Sequence, residues 1–230
     1  MRARSLSGAG VAQPQALPRP ATITFTLPAS VGAAAFVAGP LAMLAFHLLN
    51  GELLPRDEAR QYLEQIASLG NRFPAAVIAY MVAAVLNLVI ALAIFRLLGN
   101  RPSGVIAAGF LMLASLGSFG FAGMNLLLWG QVDETGVTDE LVRGYAAFQD
   151  GPGFILLAAF ALPAAIVSTV ALLVGLMRSH VTPLWVPILI IAGIVAGSGE
   201  FGRSGSIAGA VIAVAAGIGL AQALLREAKS

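Results

Sequence analysis

The chain has 230 residues, 58% of them hydrophobic and 10% charged, with a formal net charge of +2 at pH 7. An ordinary soluble domain carries about 25% charged residues, so this composition excludes a water-facing surface over most of the molecule and points to lipid. There is no cysteine, which excludes disulfides, thiol catalysis and Cys-ligated zinc.

Residues 1–28 carry Arg2, Arg4 and Arg19 and the prolines Pro14, Pro18, Pro20 and Pro28, and read as a flexible basic arm. The arm is too long for the n-region of a signal peptide, and no small-x-small exit follows near Leu48–Gly51, so the first apolar run is expected to be an uncleaved span. Six apolar runs follow, at about 29–49, 74–98, 104–130, 152–177, 183–199 and 205–225. The clearest is Pro74 to Phe95, which has no charge. As a helix it would reach roughly 33 Å, about the thickness of a bilayer's hydrocarbon core. Only helices and closed barrels satisfy every backbone group in lipid, and these runs are continuous rather than alternating, so helices are expected. The predicted fold is all-α: a polytopic six-helix transmembrane bundle over 29–227, in the cell membrane.

Eight of the thirteen Lys and Arg residues fall on one side if the N-terminus is inside. The positive-inside bias then places both termini in the cytoplasm. Against it stand Arg56, Arg60 and Arg72 in the first outer loop. Ten of the eleven acids lie on the outer side, which makes that face negative.

Two outer loops have helical patterns. In the first, Pro55 opens a helix with Asp57 and Glu58 in its first turn, Gly70 ends it, and Ala59, Tyr62, Leu63, Ile66 and Leu69 share a face. In the third inter-span loop, Thr138 is an N-cap candidate ahead of Asp139 and Glu140, and Leu141, Val142, Tyr145 and Phe148 form the apolar stripe. Both read as short amphipathic helices in the headgroup region or lidding the bundle. The strings DEARQY (57–62) and DELVRGY (139–145) echo each other. Chance is the simpler explanation of so short a match, and a hairpin repeat the alternative.

Between the spans, small residues are the expected contact surfaces, because lipid removes the hydrophobic drive between helices. Gly205, Gly209, Ala213 and Gly217 recur every four residues in the last run, and Gly193 with Gly197 do so in the fifth. Packing within the chain is the preferred reading and a homodimer seam the alternative. Pro40 and Pro163 are expected to bend their spans.

Polar side chains at membrane depth are the default site candidates. His47, Asn125, Gln131, Asp150 and Glu200 fall at similar depth on the outer side, and Asn87 near the middle of the bilayer. They are candidates for one water-accessible pocket. The plainer alternative is that each faces headgroups or caps a helix end, and that Asn87 makes an interhelical hydrogen bond. For Asp150 the preferred role is to cap the fourth span, with Gly151 and Pro152 setting the turn.

Other motifs fail on context. Gly197-Ser198-Gly199-Glu200-Phe201-Gly202 fits GxGxxG, but no strand precedes it and no βαβ unit surrounds it. The only lysine is Lys229, so there is no P-loop, and neither HExxH nor GxSxG occurs. His47 and His180 are expected on opposite sides of the membrane and cannot share a metal. A basic patch for nucleic acid is absent. Catalytic residues, metal ligands and cofactors are therefore assigned to no position.

The stretches FRLLGNRPSGVIAAGF across the turn between spans 2 and 3, and GPGFILLAAFALP at the start of span 4, resemble bacterial six-span membrane proteins of the domain-of-unknown-function type. The resemblance implies a six-helix fold and carries no activity. The sparse interior polarity favours a non-catalytic accessory or partner-binding membrane protein. Its expected partners are the bilayer and a membrane protein or a second copy. A small-molecule binder or transporter with an outer pocket is the alternative, and an intramembrane enzyme comes last.

Overall fold

The computed structural model describes residues 27–50, 58–198 and 202–229. The arm up to residue 26, the stretch 51–57 with Pro55 and Asp57, and 199–201 with Glu200 lie outside the described residues. The described residues form eight helices: α1 (Ala29–Asn50), α2 (Ala59–Leu69), α3 (Arg72–Leu98), α4 (Pro102–Thr135), α5 (Asp139–Gln149), α6 (Pro152–Ser179), α7 (Trp185–Ala196) and α8 (Gly202–Glu227). The described residues contain no strand.

Five of these helices (α1, α3, α4, α6 and α8) are long and apolar enough to cross a membrane. Their outward faces carry large apolar side chains such as Ile78, Leu116, Phe160, Leu162 and Ile166, all well exposed. Water would not tolerate so continuous an apolar surface, whereas lipid does. This is a membrane-embedded helical bundle. α7 is apolar but has only 12 residues. At about 18 Å it is shorter than the roughly 30 Å hydrocarbon core. Pro183 precedes it and Gly197 caps its end, so the fifth apolar run yields a shorter helix than the 183–199 read from hydropathy.

Neighbouring long helices run antiparallel, α6 against α4, α4 against α3, α3 against α1 and α1 against α8, and α7 packs on α8 and also meets α6. Their closest approaches occur at glycines. A Cβ on Gly217 of α8 would lie 2.0 Å from the Phe36 carbonyl oxygen of α1. One on Gly209 would lie 2.7 Å from the Gly193 carbonyl oxygen and 2.9 Å from the Gly197 nitrogen of α7. Gly193 in turn faces the Gly209 carbonyl and the Ala213 nitrogen. Thus Gly193, Gly197, Gly209, Ala213 and Gly217 all stand in seams within the chain, and Gly205 is buried in α8. On α4, Gly117 meets Ala161 and Gly120 meets Leu157 of α6. α1 and α6 continue through Pro40 and Pro163.

A core of Phe36, Ile94, Leu98, Leu176, Val186 and Leu224 gathers α1, α3, α6, α7 and α8 toward one end of the bundle. At that end Arg96 of α3 donates to the Leu27 carbonyl just before α1 and lies 3.4 Å from Glu227 at the end of α8. The start of α1 and the finish of α8 are therefore neighbours.

Gly217→Ala forces a methyl group onto a carbonyl oxygen of another backbone, and overpacking of this kind costs about 1–3 kcal/mol or more. Gly109 of α4 has nothing within 4 Å of an added Cβ. We expect Gly217→Ala to lower the thermal unfolding midpoint in detergent clearly and Gly109→Ala to leave it unchanged or raise it. Equal effects would remove the close seam as a stability determinant.

Candidate functional site

α4 has 34 residues. At about 51 Å it exceeds the hydrocarbon core by roughly 20 Å, so its ends must project. Its apolar run gives way to Gln131, Asp133 and Glu134 before Gly136 ends the helix in a left-handed conformation at φ 70°. Against this end pack α2 and α5, forming a small lobe at the opposite end from Leu27 and Glu227.

Local sequence explains both short helices. α2 buries Tyr62, Leu63 and Ile66 on one face, with Ala59 and Leu69 packed beside them. That is helical spacing. Gly70 ends α2 at φ 49°. At α5 the Thr138 hydroxyl accepts a 3.2 Å hydrogen bond from the Leu141 N–H, and Asp139 and Glu140 occupy the first turn. The cap satisfies one orphan donor, and the acids suit the positive end of the helix dipole.

The two helices meet through their echoing strings. The Tyr62 and Tyr145 rings stack with centroids 5.5 Å apart and 15° between planes. Arg60 of α2 pairs with Asp139 of α5 and lies 3.9 Å from Glu64. Beneath them the Tyr62 hydroxyl donates to Asn125 Oδ1 of α4 at 2.7 Å. Asn125 is only 8% exposed. A buried amide is tolerable there because the lobe supplies its donor.

The residues singled out from the sequence are distributed as follows. Asn125 and Gln131 lie toward the lobe end of α4, the first roofed by α2 and the second exposed. Asp150 is exposed, and its backbone N–H donates to the Ala146 carbonyl at the end of α5. It is the C-cap of α5, while Gly151 is the N-cap of α6 and makes no side-chain cap bond. The capping role expected of Asp150 on the fourth span is therefore corrected: Pro152 supplies the preset N1 backbone, and the turn needs no carboxylate. His47 stands in the last turn of α1 with its ring 5.2 Å from Phe46. Asn87 is half-buried in the α1–α3 seam, its Oδ1 3.9 Å from where a Cβ on Gly39 would lie. Glu200 lies outside the described residues.

Between α4 and α5 runs an open groove of about 850 Å³. Gln131 lines it, and His47, Asn87, Asn125 and Asp150 do not. Glu134, Thr135, Thr138 and Glu140 line its polar end, and Met124, Leu127 and Phe148 its apolar end. The sequence reading missed Glu134, Glu140 and the Tyr62–Tyr145 stack as site features. The signal for the stack was present in the paired DEARQY and DELVRGY strings, which mark the two helices that touch. Among the described residues no group of three or more His, Asp or Glu side chains is placed to hold a metal ion.

Tyr62→Phe removes the hydroxyl that donates to Asn125 Oδ1, and leaving a buried acceptor unmet costs about 1–3 kcal/mol. We expect faster amide hydrogen exchange across 59–69 in that variant, with exchange in α3 and α8 unchanged. Exchange in 59–69 identical to the parent would show that the bond does not hold α2 down.

Comparison with protein-family models, curated proteins and solved structures gives no match.

Proposed function

We propose that this is a six-crossing integral membrane protein that works by recognition at the α2–α5 lobe, without catalysis, the lobe facing outward and both chain ends facing the cytoplasm. The single observation that carries the recognition reading is the lobe itself. α2 and α5 are docked on the polar end of α4 by a buried Tyr62–Asn125 hydrogen bond and a tyrosine stack, beside an open groove. Six crossings are supported by the α7–α8 hairpin. Short as it is, α7 packs antiparallel to α8 from Trp185 beside Gly219 to Gly197 beside Gly209. The cytoplasmic placement of the ends is supported by the Lys and Arg distribution and by Arg96, which draws Leu27 and Glu227 together.

The hydroxyls of Ser115, Ser118, Ser168 and Thr169 are occupied locally, which supports recognition over transport. Ser115 and Ser118 donate to carbonyls one turn back at 2.7 and 3.0 Å. Thr169 does the same at 2.8 Å, and Ser168 bridges to the Ala107 carbonyl of α4 at 2.8 Å. An accessory role toward another membrane protein fits this reading. A small-molecule ligand is the second reading, and the groove is the observation that favours it.

Gly144 lines the groove, and a Cβ added there meets nothing within 4 Å. Gly144→Trp should therefore fill the groove without disturbing the bundle, whereas Asn87→Leu alters the deepest candidate. In a deletion strain of the source organism, we expect Gly144→Trp to fail to restore the parental phenotype at normal membrane abundance and Asn87→Leu to restore it. The reverse pattern would favour passage through the bundle.

A further inference from the structure

We propose that the α4–α5 groove binds a single-chain amphipathic cation, an alkyl ammonium with no anionic group, its chain toward the membrane and its head between Glu134 and Glu140. The proposal rests on the small-ligand reading of the lobe and names the ligand's chemistry.

The groove is graded along its length. It follows α4 from Gly120 to Thr135, about 22 Å of helix. α5 runs back along it in the opposite direction, so Glu140 near the start of α5 stands by the end of α4 and Phe148 lies deep. The deep end is apolar and open to the lipid: Leu127 is 74% exposed, and Phe148 packs edge-on against Phe154 at 5.7 Å. The shallow end is polar, with Gln131, Glu134 and Glu140 on its walls. An amphiphile lying in this groove has one favourable orientation.

Charge then selects the head group. Among the described residues no Lys, Arg or His lines the groove. Of the nearby cations, Arg60 is engaged with Asp139, and Arg143, on α5 three residues after Glu140, is not among the groove's lining residues. Among the described residues neither Glu134 nor Glu140 has an ion-pair partner. Two carboxylates at the edge of a low-dielectric region attract a cation more strongly than they would in bulk water. A phosphodiester would meet the same carboxylates with no base to receive it, which disfavours zwitterionic phospholipids as the occupant. In lipid a hydrocarbon chain gains little by leaving its neighbours. The chain therefore sets orientation and the head sets selectivity.

The test uses the full-length protein in phosphatidylcholine nanodiscs and a diazirine-bearing dodecyltrimethylammonium probe. Photolabelled peptides are mapped, and unlabelled dodecyltrimethylammonium, dodecylphosphocholine and dodecyl sulfate serve as competitors. The expected result is saturable labelling confined to peptides spanning 120–135 and 139–148. Dodecyltrimethylammonium should compete for it, and the other two should compete far less. Glu134→Gln or Glu140→Gln should weaken it roughly two- to fivefold each, as for a partly exposed ion pair. Gly144→Trp should abolish it. Both carboxylates are exposed, so the Gln variants keep the fold, and unchanged circular dichroism would check this. Saturable labelling of the same peptides that the sulfate or phosphocholine compound displaces equally, or that ignores both Gln variants, would overturn the cation assignment while leaving the groove a ligand site. Non-saturable labelling spread over the lipid faces of α6 and α8 would overturn the groove as a site altogether.

Discussion

The bundle depends on backbones approaching one another at places where no side chain intervenes. In lipid, apolar side chains gain nothing by turning inward, so helices hold together through close van der Waals contact. Gly217 against the Phe36 carbonyl joins α8 to α1, and Gly209 against Gly193 and Gly197 joins α8 to α7. α8 is thus clasped on two sides by helices that only glycine lets approach so closely. The same device recurs on α4, where Gly117 and Gly120 admit Ala161 and Leu157 of α6. Substituting a larger residue at these positions would separate elements on which the lateral order of the whole molecule rests.

With the interior committed to packing, polar chemistry is displaced to the ends. One end is a clamp: Arg96 gathers the carbonyl of Leu27 and the carboxylate of Glu227. The other is the lobe, made because α4 runs beyond its apolar stretch and gives α2 and α5 something to pack on. Arg60, Tyr62, Tyr145 and Asp139 link the two short helices, and Asn125 links them to the bundle. The groove beside them is the one described place where an apolar wall and unpaired carboxylates run together.

Much of this was legible in the sequence, and the reasons differ by element. Long apolar runs announce helices because lipid permits almost nothing else, so the segments that became α1, α3, α4, α6 and α8 could be placed closely. The apolar faces of α2 and α5 and the Thr138 cap could be read because local rules govern them. α7 was overextended because hydropathy counts Gly197 and Ser198 as continuations, whereas backbone preference ends the helix there. The Asp150 cap was misassigned because Gly-Pro already sets the turn. The site was the least readable part. Depth along a helix can be read from spacing, but which way a side chain turns depends on the neighbour it finds. Asn87 turned into the α1–α3 seam near Gly39, and Asn125 found Tyr62, 63 positions away in sequence. Glu134 and Glu140 looked like ordinary exposed acids until the groove between their helices was seen.

The natural absence of cysteine makes the central arrangement directly measurable. Asp133→Cys and Lys229→Cys each place one thiol, the first on the lobe and the second beside the end of α8. The reagent is a membrane-impermeant maleimide applied to intact cells and again after permeabilisation. The expected result is that Asp133→Cys reacts at once and Lys229→Cys only after permeabilisation. Reaction of both from the same side would contradict the opposition of the lobe and the end of α8, and reaction of Lys229→Cys alone in intact cells would invert the molecule in its membrane.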